Sequence, residues 1–221
     1  MSSFFAESFD QGRKQMAVVS HEVHPLFVEP YFRANIAGAI SPAQIEFIKN
    51  LKMVNNEENY ISENLYIFEE PELRSIKDAV QEILDIYARE VLCIPQKLYV
   101  TQSWSLTNTA NMGMHAHSHS NSVLSGSLYY CELPSPPSNM VFTRHVSYQQ
   151  IELPPEPNKR NIYNTPIVRI TPRQNDVILF SSRLTHMVEP NPSSAPRHSI
   201  AFNTFVKGKL GDYRSVSELA L

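Results

Sequence analysis

The sequence is short of glycine, with only 6 in 221 residues, has 2 cysteines and 1 tryptophan, and contains no long apolar run. Each shortage excludes something. Cys93 and Cys131 form neither a C-x-x-C pair nor a disulfide framework, so the chain suits a reducing compartment and both are expected to be buried thiols. The opening stretch MSSFFAESFDQGRKQMAVVS is broken by Glu7, Asp10, Arg13 and Lys14, which leaves neither the apolar core of a signal peptide nor a membrane span. A cytoplasmic location is therefore expected. No charge of one sign dominates either: 19 basic against 22 acidic residues give a net charge of −3, and nothing overall argues for nucleic acid or an anionic membrane surface. There is no internal repeat. Proline, by contrast, reaches 16, with clusters around 134–137, 154–157 and 190–196 that punctuate short elements. A chain of this length buries well over half of its unfolded surface, so no metal is required merely to hold a fold.

In chain order, residues 1 to about 15 read as a loose polar arm, and the apolar run within Val18–Ile36, broken by Pro25 and Pro30, reads as an edge strand. Ser41-Pro42-Ala43-Gln44 starts a helix, with Ser41 as cap, Pro42 in the first turn and Gln44 completing a capping box; Ile45, Ile48 and Leu51 form its buried stripe. Asn55–Asn64 is polar and reads as loop. Pro71 opens a second helix in which Leu73, Ile76, Val80, Ile83, Tyr87 and Val91 recur at steps of three and four, a stripe that packs on a sheet. Its charged face reads as solvated surface. From Leu98 the pattern changes to short strands, LYVTQSWSL, VLSGSLYYCEL, NMVFTRHVSY, PIVRIT, DVILF and HSIAFNTFV, and Asn175-Asp176 reads as the turn before Val177. Helices followed only by strands indicate an α+β chain ending in a β-sandwich or barrel. One domain is expected, with 1–97 an N-terminal extension, 98–207 the core and 208–221 a tail.

The stretch Met114–Tyr130, MHAHSHSNSVLSGSLYY, places histidines at 115, 117 and 119. Imidazoles two residues apart share a face only in an extended strand, where side chains alternate with period two. The far end of the chain adds His186, and then Arg197, Ser199, Ala201 and Asn203, which share one strand face while His198, Ile200 and Phe202 take the other. A polar face turned into a barrel is costly unless its groups bind something. His21, His24, His145 and His198 lack partner motifs and read as loop or surface residues; Trp104 reads as core or pocket wall.

These residues resemble the non-haem Fe(II), 2-oxoglutarate-dependent oxygenases. The resemblance is carried by His117, His119, Ser122, Ser125, Gly126 and Tyr129, then by Phe180, Ser182, His186, Val188, Pro190 and Asn191, and finally by Arg197, Ser199 and Asn203, in the family's order. It implies a double-stranded β-helix, or jelly roll, with the N-terminal helices packed on its sheet and a metal at one open end. It also implies Fe(II), the co-substrate 2-oxoglutarate and O2, with His117, His119 and His186 as ligands. The family's broad pattern is H-x-D/E, whereas here both positions are histidine, so either all three histidines ligate, leaving the ion its full +2 charge for the dianionic co-substrate to neutralise, or one of them stands behind the ligands and an unrecognised carboxylate takes its place. Strand parity does not choose among His115, His117 and His119; the register counted from Ser125-Gly126 leaves His115 outside the motif. Arg197 suits the distal carboxylate of 2-oxoglutarate, since a guanidinium fork matches a carboxylate with two parallel bonds. Ser199, Tyr129 and, less directly, Asn108 supply further donors.

The implied activity is hydroxylation of a small-molecule or peptide substrate with release of succinate and CO2, by a protein compatible with a homodimer. Two rivals use the same histidines: a cupin-like metalloenzyme without 2-oxoglutarate, which has no need of Arg197, and a non-catalytic zinc module closed by a fourth ligand such as His115.

Overall fold

A computed structural model of the protein describes residues 20–144 and 153–221; the expectations for residues 1–19 and for His145 lie outside the described residues. Helix α1 (Pro42–Lys49) begins as its sequence requires. The Gln44 N–H donates to Ser41 Oγ at 3.3 Å, and the Ser41 N–H donates to Gln44 Oε1 at 2.8 Å, so two otherwise orphaned donors are satisfied. Ile48 is buried, with Ile45 and Leu51 half-buried. Helix α2 (Arg74–Tyr87) follows a 3-10 turn at Pro71–Leu73 and buries Ile76, Val80, Ile83, Leu84 and Tyr87. The expected stripe does not extend to Val91. The helix widens into a π turn over Ala88–Leu92 and Cys93 takes φ +52°, which carries the following side chains out of the 3.6-residue phase. Val91 and Cys93 are exposed, so of the two thiols only Cys131 is buried.

Among the described residues the strands are β1 (Tyr31–Asn35), β2 (Met53–Asn55), β3 (Tyr60–Ser62), β4 (Lys97–Asn108), β5 (Met114–His117), β6 (Leu124–Leu128), β7 (Met140–Thr143), β8 (Ile167–Ile170), β9 (Asp176–Ser181), β10 (His186–Val188), β11 (Arg197–Lys207), β12 (Lys209–Leu210) and β13 (Leu219–Ala220). They form a seven-stranded antiparallel sheet, β1-β9-β6-β11-β4-β3-β2, facing a four-stranded one, β5-β10-β7-β8, with β12-β13 as a small separate pair. This is the jelly roll, with both helices on the outer face of the larger sheet. The edge strand expected before Ile36 is β1, confined to Tyr31–Asn35. Asn175 closes the turn into β9 at φ +66°, a conformation asparagine tolerates.

The segment 55–64, read as loop, instead contains most of the β2–β3 hairpin, which pairs onto β4 through Tyr60↔Thr107 and Ile61↔Leu106. Its polar composition conceals strands of three residues whose extended state is set by the partner strand. His198, read as loop or surface, is a half-buried member of β11 whose Nδ1 lies 3.0 Å from Thr107 Oγ1.

The register of the large sheet separates two faces. Leu124 and Leu128 on β6, Val177 and Leu179 on β9, and Ile200 and Phe202 on β11 join the buried side chains of α2 in one apolar core. Their alternates, Ser125, Ser127, Ile178, Phe180, Arg197, Ser199 and Ala201, turn toward the smaller sheet, and β4 continues that face with Gln102, Trp104, Leu106 and Asn108. Tyr129, Met140, Phe142, Ile170, Ile178 and Phe180 fill the space between the sheets beside an open cavity of about 300 Å3.

Candidate functional site

His117, the last residue of β5, pairs directly with His186, the first residue of β10. His119 lies two residues past the end of β5, so strand alternation alone does not aim it. Its backbone N–H donates to the Ser182 carbonyl at 2.9 Å, and the Ser182 N–H donates to the Val123 carbonyl at 3.1 Å. Below that loop the hydroxyls of Ser122, Ser182 and Ser125 form a chain at 2.7 and 2.8 Å, ending where Ser125 Oγ donates to Asn203 Oδ1 at 2.9 Å. The polar motif residues that read as turn-formers therefore fasten the loop that carries His119.

One ligand nitrogen from each of His117, His119 and His186 lies within 4.8 Å of the other two, and Nε2 of His119 is 3.3 Å from Nε2 of His186. Donors on a shared ion at right angles, each roughly 2.1 Å from it, lie about 3 Å apart. Two tautomers are fixed by neighbours: His117 Nδ1–H donates to the His115 carbonyl at 2.8 Å and His186 Nδ1–H to the Leu184 carbonyl at 3.0 Å. A carbonyl can only accept, so each Nε2 is left with its lone pair facing the cluster. Burial, followed by the positive field His117 would add if protonated, pushes the His119 pKa down to about 4. His186, packed against the rings of Phe180 and Phe142 at 4.6 and 6.0 Å, is also pushed down to about 4, chiefly by burial. Neutral imidazoles at ordinary pH are the form that binds a cation.

At the other end of the cavity Arg197 is buried to 2% exposure. Its Nη2 donates to Tyr129 Oη at 3.2 Å and its Nη1 makes long contacts of 3.5 Å to Asn108 Oδ1 and Ser199 Oγ, while Nε is buried without a partner. Among the described residues no carboxylate pairs with it. Asp176 is committed elsewhere, to Arg33 at 3.5 Å and to the Arg173 N–H at 3.1 Å. Burial holds the Tyr129 phenol above its ordinary pKa, so its proton stays available for donation. A guanidinium this buried without a counter-ion is costly, and an anion completing it removes that cost.

The residues expected to act together thus line one cavity: His117, His119 and His186 near one end, Arg197, Ser199 and Asn108 near the other, with Tyr129 behind Arg197. His115 stands apart. Its side chain is 59% exposed and its Nδ1 is 3.2 Å from Glu58, outside the three-histidine cluster. The sequence reading missed Gln102 and Asn59, and left Trp104 as core or pocket wall, of which the structure shows the wall. Gln102 and Trp104 share the parity of Asn108 on β4, but that signal acquires meaning only once β4 is paired with β11.

Comparison with known proteins agrees with this geometry. Residues 102–203 match the model of a family described as "Putative 2OG-Fe(II) oxygenase". Among solved structures, an oxidoreductase of the 2OG-Fe(II) oxygenase family from Burkholderia pseudomallei superposes with a TM-score of 0.55 at 10% identity, covering 79% of this chain and 83% of that one. HygX from Streptomyces hygroscopicus, with nickel, 2-oxoglutarate and hygromycin B bound, gives 0.55 at 12% identity over 80% and 82%. A prolyl hydroxylase from Trichoplax adhaerens, in complex with a hypoxia inducible factor peptide fragment, gives 0.52 at 15% identity over 79% and 83%. No curated protein matches by sequence. At these identities the structures speak for the fold, and the family match speaks for residues 102–203, which carry the three histidines and Arg197. That match points to the Fe(II)- and 2-oxoglutarate-dependent oxygenases.

Proposed function

We propose that the chain is an Fe(II)- and 2-oxoglutarate-dependent oxygenase acting as a hydroxylase, with His117, His119 and His186 as the metal-binding face and Arg197 as the seat of the co-substrate's distal carboxylate. The observation that carries this reading is the buried Arg197, which has no carboxylate partner among the described residues and faces the same cavity as three convergent imidazoles. Iron, when bound, couples oxidative decarboxylation of 2-oxoglutarate to C–H hydroxylation: one atom of O2 enters the new hydroxyl, the other enters succinate, and CO2 leaves. The chain's own groups do the rest. Arg197 neutralises the distal carboxylate and orients it through its fork, with Tyr129, Ser199 and Asn108 around it. The carbonyls of His115 and Leu184 hold two imidazole rings in the ligating tautomer. Phe180, Phe142 and Met140 exclude water from the histidine end. Three neutral imidazoles add no negative charge, so a dianionic co-substrate offsets the whole charge of the ion.

In this reading residues 98–207 are the catalytic core, 1–97 an extension and 208–221 a tail, in a cytoplasmic protein compatible with a homodimer. A cupin-like enzyme gains nothing from a buried free guanidinium, and closure of a zinc site by His115 competes with its contact to Glu58. The test is succinate formation on adding Fe(II), ascorbate and 2-oxoglutarate, since slow turnover without prime substrate is expected. Metal binding without 2-oxoglutarate binding or succinate would reject the reading in favour of its rivals.

A further inference from the structure

The cavity has a third region beyond the histidines and Arg197. On β4 the side chains of Gln102, Trp104, Leu106 and Asn108 occupy one face, opposite Asn203, Ala201, Ser199 and Arg197 in the β11 register. At roughly 3.3 Å per residue, Trp104 stands about 13 Å and Gln102 about 20 Å along the strand from Asn108. The Trp104 ring lies 6.3 Å from that of His119, so β4 runs from the guanidinium, past the histidines, to Gln102. The β2–β3 hairpin pairs with β4 toward its Asn108 end. Ile61 continues the cavity face of β4, and Asn56 and Asn59 at the hairpin tip line the cavity with Leu65. The tip is held to β5 by Asn59 Nδ2, 3.6 Å from Met114 Sδ, and by Glu58 against His115.

The polar content of this region is specific. Apart from Arg197 and the histidines, every described residue lining the cavity is uncharged. Glu58 and His115 at the rim face each other. Gln102 and Trp104 line the cavity and their side chains make no hydrogen bond to a described residue, while Ile61, Leu65, Leu106 and Met114 supply apolar surface.

We propose, building on the oxygenase reading, that the prime substrate presents an uncharged aliphatic carbon flanked by an amide, with Gln102 and Trp104 as its specificity-determining residues. A carboxamide offers one acceptor and donors side by side; a primary carboxamide returns both bonds in one plane, and a peptide backbone, whose trans amide points its N–H and C=O apart, returns them from the N–H and C=O of a single residue. The indole N–H, a donor only, takes a carbonyl oxygen. A charged side chain placed here would lose its hydration with no opposite charge to replace it. The amide belongs either to a peptide backbone or to a free carboxamide, the same chemistry from two sources.

Trp104 is the single tryptophan of the sequence, so its fluorescence reports entry into this region without any turnover. The full chain, loaded with Mn(II) and 2-oxoglutarate, is titrated with N-acetyl-leucinamide, N-acetyl-lysinamide and the α-amide of N-acetyl-glutamate. The neutral amide is expected to give a saturable change, and the two charged ones to bind at least about tenfold more weakly, as the desolvation of an unpaired charge requires. Gln102→Ala should weaken the neutral probe about fivefold or more, the loss of a hydrogen-bonding partner, with 2-oxoglutarate affinity retained by calorimetry. Gln102→Glu should shift preference toward N-acetyl-lysinamide. Stronger binding of the capped residue than of isovaleramide assigns a peptide backbone, and equal binding assigns a free carboxamide. Absence of neutral-amide binding, equal binding of the charged probes, or indifference to Gln102 overturns the proposal. Failure to bind 2-oxoglutarate at all overturns the oxygenase reading instead, so the two failures are distinct.

Discussion

On β11, Ile200 and Phe202 point toward α2 while Arg197, Ser199 and Ala201 point toward the smaller sheet, and the same division runs through β6 and β9. The outer face is a closed apolar core in which Leu73, Ile76, Val80, Leu98, Leu128, Val177, Leu179, Ile200 and Phe202 are fully buried. The inner face buries nearly as deeply, yet carries serines, an asparagine and an arginine whose Nε has no partner. Removal of apolar area from water at about 25 cal/mol per Å2 explains the first face. It does not explain the second, where polar groups lose hydration and regain only part of it. One face stabilises the fold, and the other is tolerated because of what enters the cavity.

Several substitutions sharpen that contrast. The largest effect is expected for His186→Ala, which should abolish divalent metal binding because no other described imidazole stands in its place; Mn(II) calorimetry on the folded variant measures it, and near wild-type affinity would refute the assignment. On the outer face, Phe202→Ala should lower unfolding free energy by about 3–5 kcal/mol through the cavity it leaves, read from urea denaturation. Its effect on metal affinity in the variant that remains folded should be small. Arg197→Ala should show the reverse: 2-oxoglutarate affinity falls by on the order of 3 kcal/mol with metal binding intact, while the apoprotein melts no lower than wild type because an unpaired buried charge has gone. A much less stable apo variant would show instead that Arg197 supports the fold.

The pH dependence of the apoprotein tests the histidine end. His119 and His186 are held at about 4 against an ordinary value of 6.5. Between those values the unfolded chain binds more protons than the folded one, so stability is fully present above about 6.5 and is lost as pH falls toward 4. Thermal melting at pH 7 and pH 5 should show the lower Tm at pH 5, with the difference reduced in His119→Gln; a flat profile would mean that these rings are more hydrated than their burial indicates. The smallest effect belongs to His115→Ala. It removes a contact to Glu58 outside the cluster and should change metal affinity by less than about 10-fold, below the range typical even of groups that orient ligands. Complete loss of metal in that variant would move the ligand pair one strand repeat toward the N-terminus.

The capping box at Ser41–Gln44, the apolar stripe of α2 as far as Tyr87, the turn at Asn175 and the alternation along β11 were all legible because each depends on residues within a turn or two of one another. Less legible was everything that depends on pairing. The hairpin in 55–64 has the composition of a loop and becomes strand through β4. Val91 fits the helical period but lies past the point where the helix changes pitch. Three histidines at 115, 117 and 119 look equivalent by parity, but β5 ends at His117, leaving a serine-bonded loop to turn His119 inward and Glu58 to engage His115.

By itself, then, the sequence determined the residue types and their local order: the caps, the stripes, the two-residue period of the strands, and a histidine and arginine inventory in an oxygenase-like arrangement. Only the tertiary structure decided which of these meet. His186 reaches His117 across 68 intervening positions through the β5–β10 register, Arg197 meets no carboxylate among the described residues while Asp176 is committed to Arg33, and Gln102 joins the cavity because β4 pairs with β11 in a particular phase. The reason is the range of the forces that set each feature. Propensity, capping and alternation act over a few residues, whereas strand register and the partners of a buried charge are fixed by contacts between segments far apart in the chain.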